Sequence, residues 1–331
     1  MTSPLYIPSG PAWHHATNPA LGEVVIEWSE TIAQIEARNP EALTRVRDGP
    51  LMFVGSDYSG QHSSGRFEVF SFLVADLAAS TRWEVLRRQV RSRFLRDGRR
   101  MSFKDLRDHR RRDALWPFLQ AANHVPGVCV TFAIEKGVNL FSIGRVLEMS
   151  SPSLKPYSHW SAKTFGRLLT TVHLVSFLVR GLSGPGQSLM WITDEDDIAP
   201  NDSRLVELSK IASNVMSHYL PHDLGRVHVG TTASDNGTCE IEDMVSIADL
   251  TAGATSELLS KQCDEGSMPS RLVLVPAPKQ VSLKTRAIVG WLAQREWPLK
   301  RVLAVVTEQG GLNTKWVQFL TEDELAGGPL V

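Results

Sequence analysis

Short apolar runs of strand length alternate along this chain with stretches whose apolar residues recur at helical spacing, and that alternation leaves few architectures open. Residues 51–56 form an apolar run ending at Asp57, 59–65 are rich in Ser and Gly, and 67–75 resume a β-prone run, which predicts two strands and a turn. From the N-cap candidate Ser80, the residues Trp83, Leu86, Val90 and Phe94 mark an amphipathic helix. A second helix is expected over 105–122 and a third strand over 128–134, followed by a buried apolar helix over 164–182 that Gly184-Pro185-Gly186 stops. A strand over 188–193 leads to Asp194, a helix follows over 203–219, then a short strand over 226–230 and a helix over 241–260 carrying Asp249. Beyond these, strands are expected over 272–275 and 302–307 with a helix over 283–295 between them, ahead of a partly apolar tail over 316–320. The pattern is that of an α/β protein with a mixed sheet flanked by helices.

At 331 residues and 42% hydrophobic, the chain can bury a large core. Its longest apolar stretches, such as 172–179, fall short of the roughly 20 residues a membrane span requires, so no membrane partner is expected. Residues 1–10 lack a basic cluster followed by an apolar run, which argues against a secretory signal and for the cytoplasm. Cys129, Cys239 and Cys263 stand far apart with no Cys-x-x-Cys spacing, against a disulfide framework or a zinc site. His14 and His15 are adjacent, so their side chains diverge and they are not read as a ligand pair. Neither the Gly-x-x-x-x-Gly-Lys phosphate loop nor a Gly-x-Ser-x-Gly nucleophile turn is present, which disfavours ATP and serine hydrolysis.

The net charge of −1 hides an asymmetry: residues 82–112 hold 13 of the 35 Lys and Arg, leaving that window at +9 and the remainder at −10. A basic stripe of this kind suits a polyanion such as DNA or RNA, and Arg87, Arg88, Arg91 and Arg99 are the expected contacts to its backbone. The competing reading is a solvated helix face, and a third is a contact to an acidic protein partner.

Asp57 and Asp194 each end an apolar strand, and Asp249 lies within a helix. If that helix crosses the ends of the two strands, the three carboxylates converge, and such a cluster calls for a cation. Hard divalent ions, Mg²⁺ or Mn²⁺, prefer oxygen ligands and can clamp the oxygens of a phosphodiester. Glu135 at another strand end, and Asp196 or Asp197 beside Asp194, would supply further ligands, against which the acidic loop at 196–197 reads more simply as exposed.

The segments that carry these aspartates resemble a known family. Phe53-Val54-Gly55-Ser56-Asp57-Tyr58-Ser59-Gly60 is similar to the opening strand and Asp-Glu-Ser-Gly signature of the domain-of-unknown-function 3800 family. Ser246-Ile247-Ala248-Asp249-Leu250-Thr251-Ala252-Gly253 is similar to its closing helix, Trp191-Ile192-Thr193-Asp194 to its middle strand, and Ser102-Phe103-Lys104, more loosely, to its basic element. The resemblance spans roughly residues 50–262 and implies a ribonuclease-H-like fold and a metal-dependent nuclease, in a family found near mobile elements and defence genes. It places Asp57, Asp194 and Asp249 on the metal and adds Lys104. Tyr58 stands where the family has Glu, which on this reading removes one ligand and leaves a residue that packs.

The expected organisation is therefore an N-terminal extension over 1–49, a ribonuclease-H-like domain over 50–262, and a C-terminal addition or subdomain over 271–331. The expected function is hydrolysis of DNA or RNA through Asp57, Asp194 and Asp249 with Glu135 and Lys104 assisting. The alternative is a catalytically inactive nucleic-acid-binding subunit of a larger complex, as the Tyr58 substitution would suggest. Arg167 and His173, at a spacing like that of small helical ribonucleases, are read as core or edge residues because the chain has several credible strands.

Overall fold

The structure is a computed structural model and describes residues 10–61, 65–138, 140–143, 157–264, 266, 281–308, 310–317 and 319. The strand expected over 272–275 and the end of the tail lie outside the described residues. Strands β1 (Leu51–Ser59), β2 (Phe67–Asp76), β3 (Gly127–Glu135), β4 (Ser188–Thr193), β5 (Val227–Thr231), β6 (Leu299–Glu308) and β7 (Leu312–Val317) form one sheet in the order β5-β4-β1-β2-β3-β6-β7. The first three strands are antiparallel neighbours. β4 lies parallel to β1 and β5 parallel to β4, while β6 lies parallel to β3 and β7 antiparallel to β6.

Both faces of the sheet are covered, which explains why the inner strands read as continuous apolar runs rather than alternating ones. One face carries α1 (Glu23–Arg38), α4 (Ala162–Leu182) and α5 (Asp202–Tyr219), packed on Met52, Val54, Phe72 and Phe132. The other carries α2 (Thr81–Phe94), α3 (His109–Ala122), α6 (Glu240–Asp264) and α7 (Leu283–Leu292), packed on Phe53, Val69, Leu73 and Val305. Helix starts follow their sequence signals: Asp108, Ser161, Asn201 and Ser282 each accept a first-turn backbone N–H.

Helix α4 is long and apolar enough to cross a membrane, yet most of it is buried against the sheet and α5. At the chain's two ends, α1 and β7 meet across the same face. Trp28 stacks on Phe132 with ring centroids 5.2 Å apart, and its indole N–H donates to Thr314 Oγ1 of β7 at 2.7 Å. The N-terminal stretch thus packs on the sheet, and the C-terminal strands β6 and β7 extend it beyond β3. Because Trp28 is fully buried and bonded, Trp28→Ala is expected to lower unfolding free energy by about 3–5 kcal/mol, read from the urea midpoint.

Candidate active site

Parallel pairing of β1 and β4 sets Ser56 opposite Thr193, so Asp57 and Asp194 follow each other at the same edge of the sheet. Helix α6 crosses β1 at this end: a β-carbon at Gly55 would sit 3.4 Å from the Val245 backbone, an ordinary contact, and 2.9 Å from the Phe53 ring. On α6, Glu242, Ser246, Asp249 and Gly253 recur at helical spacing and form a polar or small-residue stripe. The segment after α2 lies along this stripe. Ser246 Oγ donates to Met101 O at 2.8 Å, and Phe103 N–H donates to Asp249 Oδ2 at 2.6 Å. A side chain at 253 would overlap the Phe103 ring, so glycine there lets the segment seat.

The result is a cavity of about 180 Å³ whose walls include Asp57, Asp194, Asp249, Lys104, Arg100 and Glu242. The Asp57 and Asp249 carboxyls hydrogen-bond to each other, which requires that they share a proton. Burial, then the neighbouring charges of Asp249 and Asp194, raise Asp57 well above the ordinary carboxylate range. Asp249 is also raised, by burial first, although hydrogen bonds from Asp57 and from Phe103 N–H oppose this. Asp194 Oδ1 accepts from Thr232 Oγ1 at 3.0 Å and stands 3.6 Å from Arg100 Nη1. The same guanidinium pairs through Nε with Glu242 at 2.6 Å. Among the described residues, no three Asp, Glu, His or Cys side chains are gathered as a metal cluster. The residues that could hold a hard cation are the Asp57–Asp249 pair, where an ion would take the place of the shared proton, with Asp194 across the cavity.

The structure brings Asp57, Asp194, Asp249 and Lys104 to one cavity and leaves other expected residues elsewhere. Glu135 does not assist there: it ends β3 in an ion pair with Arg66 at 2.7 Å and accepts the Glu308 N–H. Asp196 and Asp197 do not line the cavity. Asp196 accepts the Ile198 N–H, and burial pushes its carboxyl up to about 6, while Asp197 pairs with Arg167 at 3.3 Å. Arg167 itself also binds Glu68, and His173 stacks on Phe141 and bonds Tyr219.

Tyr58 overturns the inference drawn from the missing Glu. Consecutive strand residues face opposite ways, so position 58 points away from Asp57 into the other layer, and a Glu there would not join the Asp57 site through this face. Its ring packs on Phe70, and its hydroxyl bonds Ser56 Oγ at 2.8 Å and Thr193 Oγ1 at 3.1 Å.

The arginines expected to hold nucleic acid also need correction. Arg87 is buried, bound to Glu84 and to Asp243 at 2.7 and 3.1 Å. Arg91 meets Asp243 through two bonds of 2.6 Å, and Arg99 is tied to Asp97 at 2.5 Å and to Asp108 at 2.9 Å. Arg87 and Arg91 spend their charge on anchoring α2 to α6, while Arg99, partly exposed, braces the loop between α2 and α3. Arg88 is exposed and paired with Glu84. The exposed cations without a carboxylate partner among the described residues include Arg82, Arg93, Arg96, Arg107, Arg112 and Lys104. Sequence reasoning also missed Thr232, Arg100, Glu242 and Lys284. Lys284 Nζ donates to Phe103 O at 2.8 Å and lies over the Phe103 ring, holding from outside the residue whose N–H bonds Asp249.

Comparison with protein-family models and with curated proteins finds no match for this chain.

Two outcomes follow from these contacts. With folded-state values raised above the unfolded ones, the pair keeps its proton more strongly when folded, so its contribution is favourable in acid and is lost as pH rises above about 4. Asp57→Asn, which keeps a donor to Asp249 but removes a charge, should therefore raise the melting temperature by roughly 2–4 °C at neutral pH in chelator and leave it unchanged near pH 4. Arg87→Met should instead cost about 3 kcal/mol in denaturant unfolding, because it leaves the fully buried Asp243 with Arg91 alone.

Proposed function

We propose that this protein is a divalent-metal-dependent nuclease, hydrolysing phosphodiesters of DNA or RNA on a ribonuclease-H-like sheet. The observation that carries the reading is the pairing of the Asp57 and Asp249 carboxyls inside a cavity that Asp194 also lines. The strand order β3-β2-β1-β4-β5, with the first three strands antiparallel and the last two parallel to β1, supports the fold that the sequence resemblance implies. Asp57 and Asp249 would hold Mg²⁺ or Mn²⁺, with Asp194 the third carboxylate. When bound, the ion supplies a Lewis acid and an activated water.

The chain's own residues have separable tasks in this reading. The Phe103 N–H fixes one oxygen of Asp249, and Thr232 fixes one oxygen of Asp194, so both carboxylates are oriented before any ligand arrives. Lys104 at the cavity wall faces the charge that develops on a phosphoryl group. Arg107, Arg112 and their exposed neighbours form the surface that holds a nucleic-acid backbone without reading its sequence.

A specific contact favours the second reading, a binding subunit without catalysis: Arg100 stands between Asp194 and Glu242 and supplies a positive charge where a metal ligand set would leave room for one. Cleavage of labelled single- and double-stranded DNA and RNA with Mg²⁺ or Mn²⁺ separates the two. A nuclease cuts in metal, is silent in chelator, and falls to background as either Asp57→Asn or Asp249→Asn, while Arg107→Ala retains chemistry and lowers the salt slope of binding by about one. A folded protein that binds with a steep salt slope yet cuts nothing in either metal is the binding subunit.

A further inference from the structure

Helices α2 and α3 pack side by side in opposite directions, Trp83 against Phe118 with ring centroids 5.5 Å apart and Arg110 on Asp97 at 2.8 Å beyond the other end. The groove between them, about 520 Å³, is floored by Leu86, Val90, Phe94, Pro117 and Ala121. One end points to the carboxylate cavity: the chain that leaves α2 at Phe94 reaches the cavity wall at Arg100, and Arg111 in the first turn of α3 lines the same cavity. Arg82 and His124 mark the far end, where burial and then the charge of Arg82 lower the imidazole. At 1.5 Å per residue, Arg82 and Phe94 stand about 18 Å apart along α2.

The walls of this groove are basic and hold no carboxylate among the described residues. Arg82 and Arg93 are exposed there, and neither has an ion-pair partner among the described residues; the Arg93 guanidinium lies over the Phe94 ring at 5.1 Å. The acids nearby are already taken, Glu84 by Arg87 and Arg88, Asp243 by Arg87 and Arg91, and Asp97 by Arg99 and Arg110. Within the two helices that leaves Asp113, exposed near the start of α3, against Arg82, Arg93 and Arg112. Gln120 Nε2, on the groove wall, is a buried donor without a partner among the described residues. One turn before it on α3, the Trp116 indole is 48% exposed.

Unpaired guanidinium groups, an exposed aromatic ring and an amide donor match the parts of a nucleic-acid strand: its phosphates, the flat face of a base and the acceptors on a base edge. An acidic peptide would use the arginines and leave the aromatic surface unexplained. Helices packed with their axes about 8–10 Å apart leave a crevice for one strand with its bases unstacked, not for the breadth of a duplex. We infer that the α2–α3 groove is a track for single-stranded nucleic acid, its backbone on Arg82 and Arg93 and a base on Trp116. The inference rests on the nucleic-acid reading above and narrows its substrate to a single strand, delivered to the carboxylate cavity from the Phe94 end of the groove.

Fluorescence anisotropy of the full chain in chelator, so that binding is read apart from cleavage, tests this with labelled oligothymidylate and oligouridylate against a duplex of equal length. The single strand is expected to bind at least about tenfold more tightly than the duplex. Replacing both exposed arginines, Arg82→Ala with Arg93→Ala, should weaken strand binding at least about tenfold and lower its salt slope by about 1.4, the share of two phosphates. Trp116→Ala should weaken it at least about fivefold with the salt slope unchanged, and Arg226→Ala, which removes an exposed arginine beside the edge strand β5, should leave it as it is. A strand carrying 4-thiothymidine should crosslink within residues 82–94 or 116–124. Native affinity in the groove variants, equal affinity for the duplex, or crosslinks elsewhere overturns the track and leaves the nucleic-acid reading standing, whereas no binding of any nucleic acid overturns both. Displacement of the strand by oligoglutamate at equal concentration overturns the track in favour of an acidic protein partner.

Discussion

The hydrogen bond between the Asp57 and Asp249 carboxyls ties the central strand to helix α6, and much of the molecule is arranged so that two acids can meet there. Two acidic side chains this close are tolerated because one proton is shared between them. Gly253 lets Phe103 lie on α6 and present its N–H to Asp249. Lys284 then holds the carbonyl on the other side of Phe103. Removal of any one of these contacts acts on the orientation of Asp249, not only on local packing.

Around the pair the charge is closely balanced. Asp194 and Glu242 share the Arg100 guanidinium, and Asp243, the residue after Glu242 and on the buried side of α6, takes Arg87 and Arg91. The acids of α6 therefore absorb three arginines of the basic window, each at a different depth. The burial of Arg87 is also why the positive charge the window offers to solvent is smaller than the +9 that its sequence carries.

Much of this framework was legible before the structure. The strand-length runs that end at Asp57 and Asp194 became β1 and β4, and the apolar spacing through 241–260 became α6, because burial on both faces leaves long apolar signatures. β7 left no such mark: Leu312-Asn313-Thr314-Lys315-Trp316-Val317 lies at the sheet's edge, partly exposed, and its polar residues conceal a strand. The fate of the arginines was only half legible. Trp83, Arg87 and Val90 share a helical stripe, so burial of Arg87 could be read from spacing, but its partner Asp243 lies 156 residues away and only the tertiary fold joins them. Thr232 and Lys284 were similarly out of reach, since each acts through a contact that no local pattern records.

The alternation of strand faces settles how Tyr58 bears on Asp57. One residue along a strand is the opposite side of the sheet, so Tyr58 belongs to the layer with Phe70 and Trp191, where its hydroxyl completes a bonded chain with Thr193, Ser56 and the Trp191 indole. Burial holds this phenol far above its usual range, which keeps it a neutral donor within that chain. The hydroxyl chain joins β1 to β4 directly behind the positions that carry Asp57 and Asp194. An aromatic residue at 58 therefore bears on the carboxylates as part of the platform that spaces their two strands, and any account of chemistry in the cavity has to rest on the groups that face it: Asp57, Asp194, Asp249, Arg100 and Lys104.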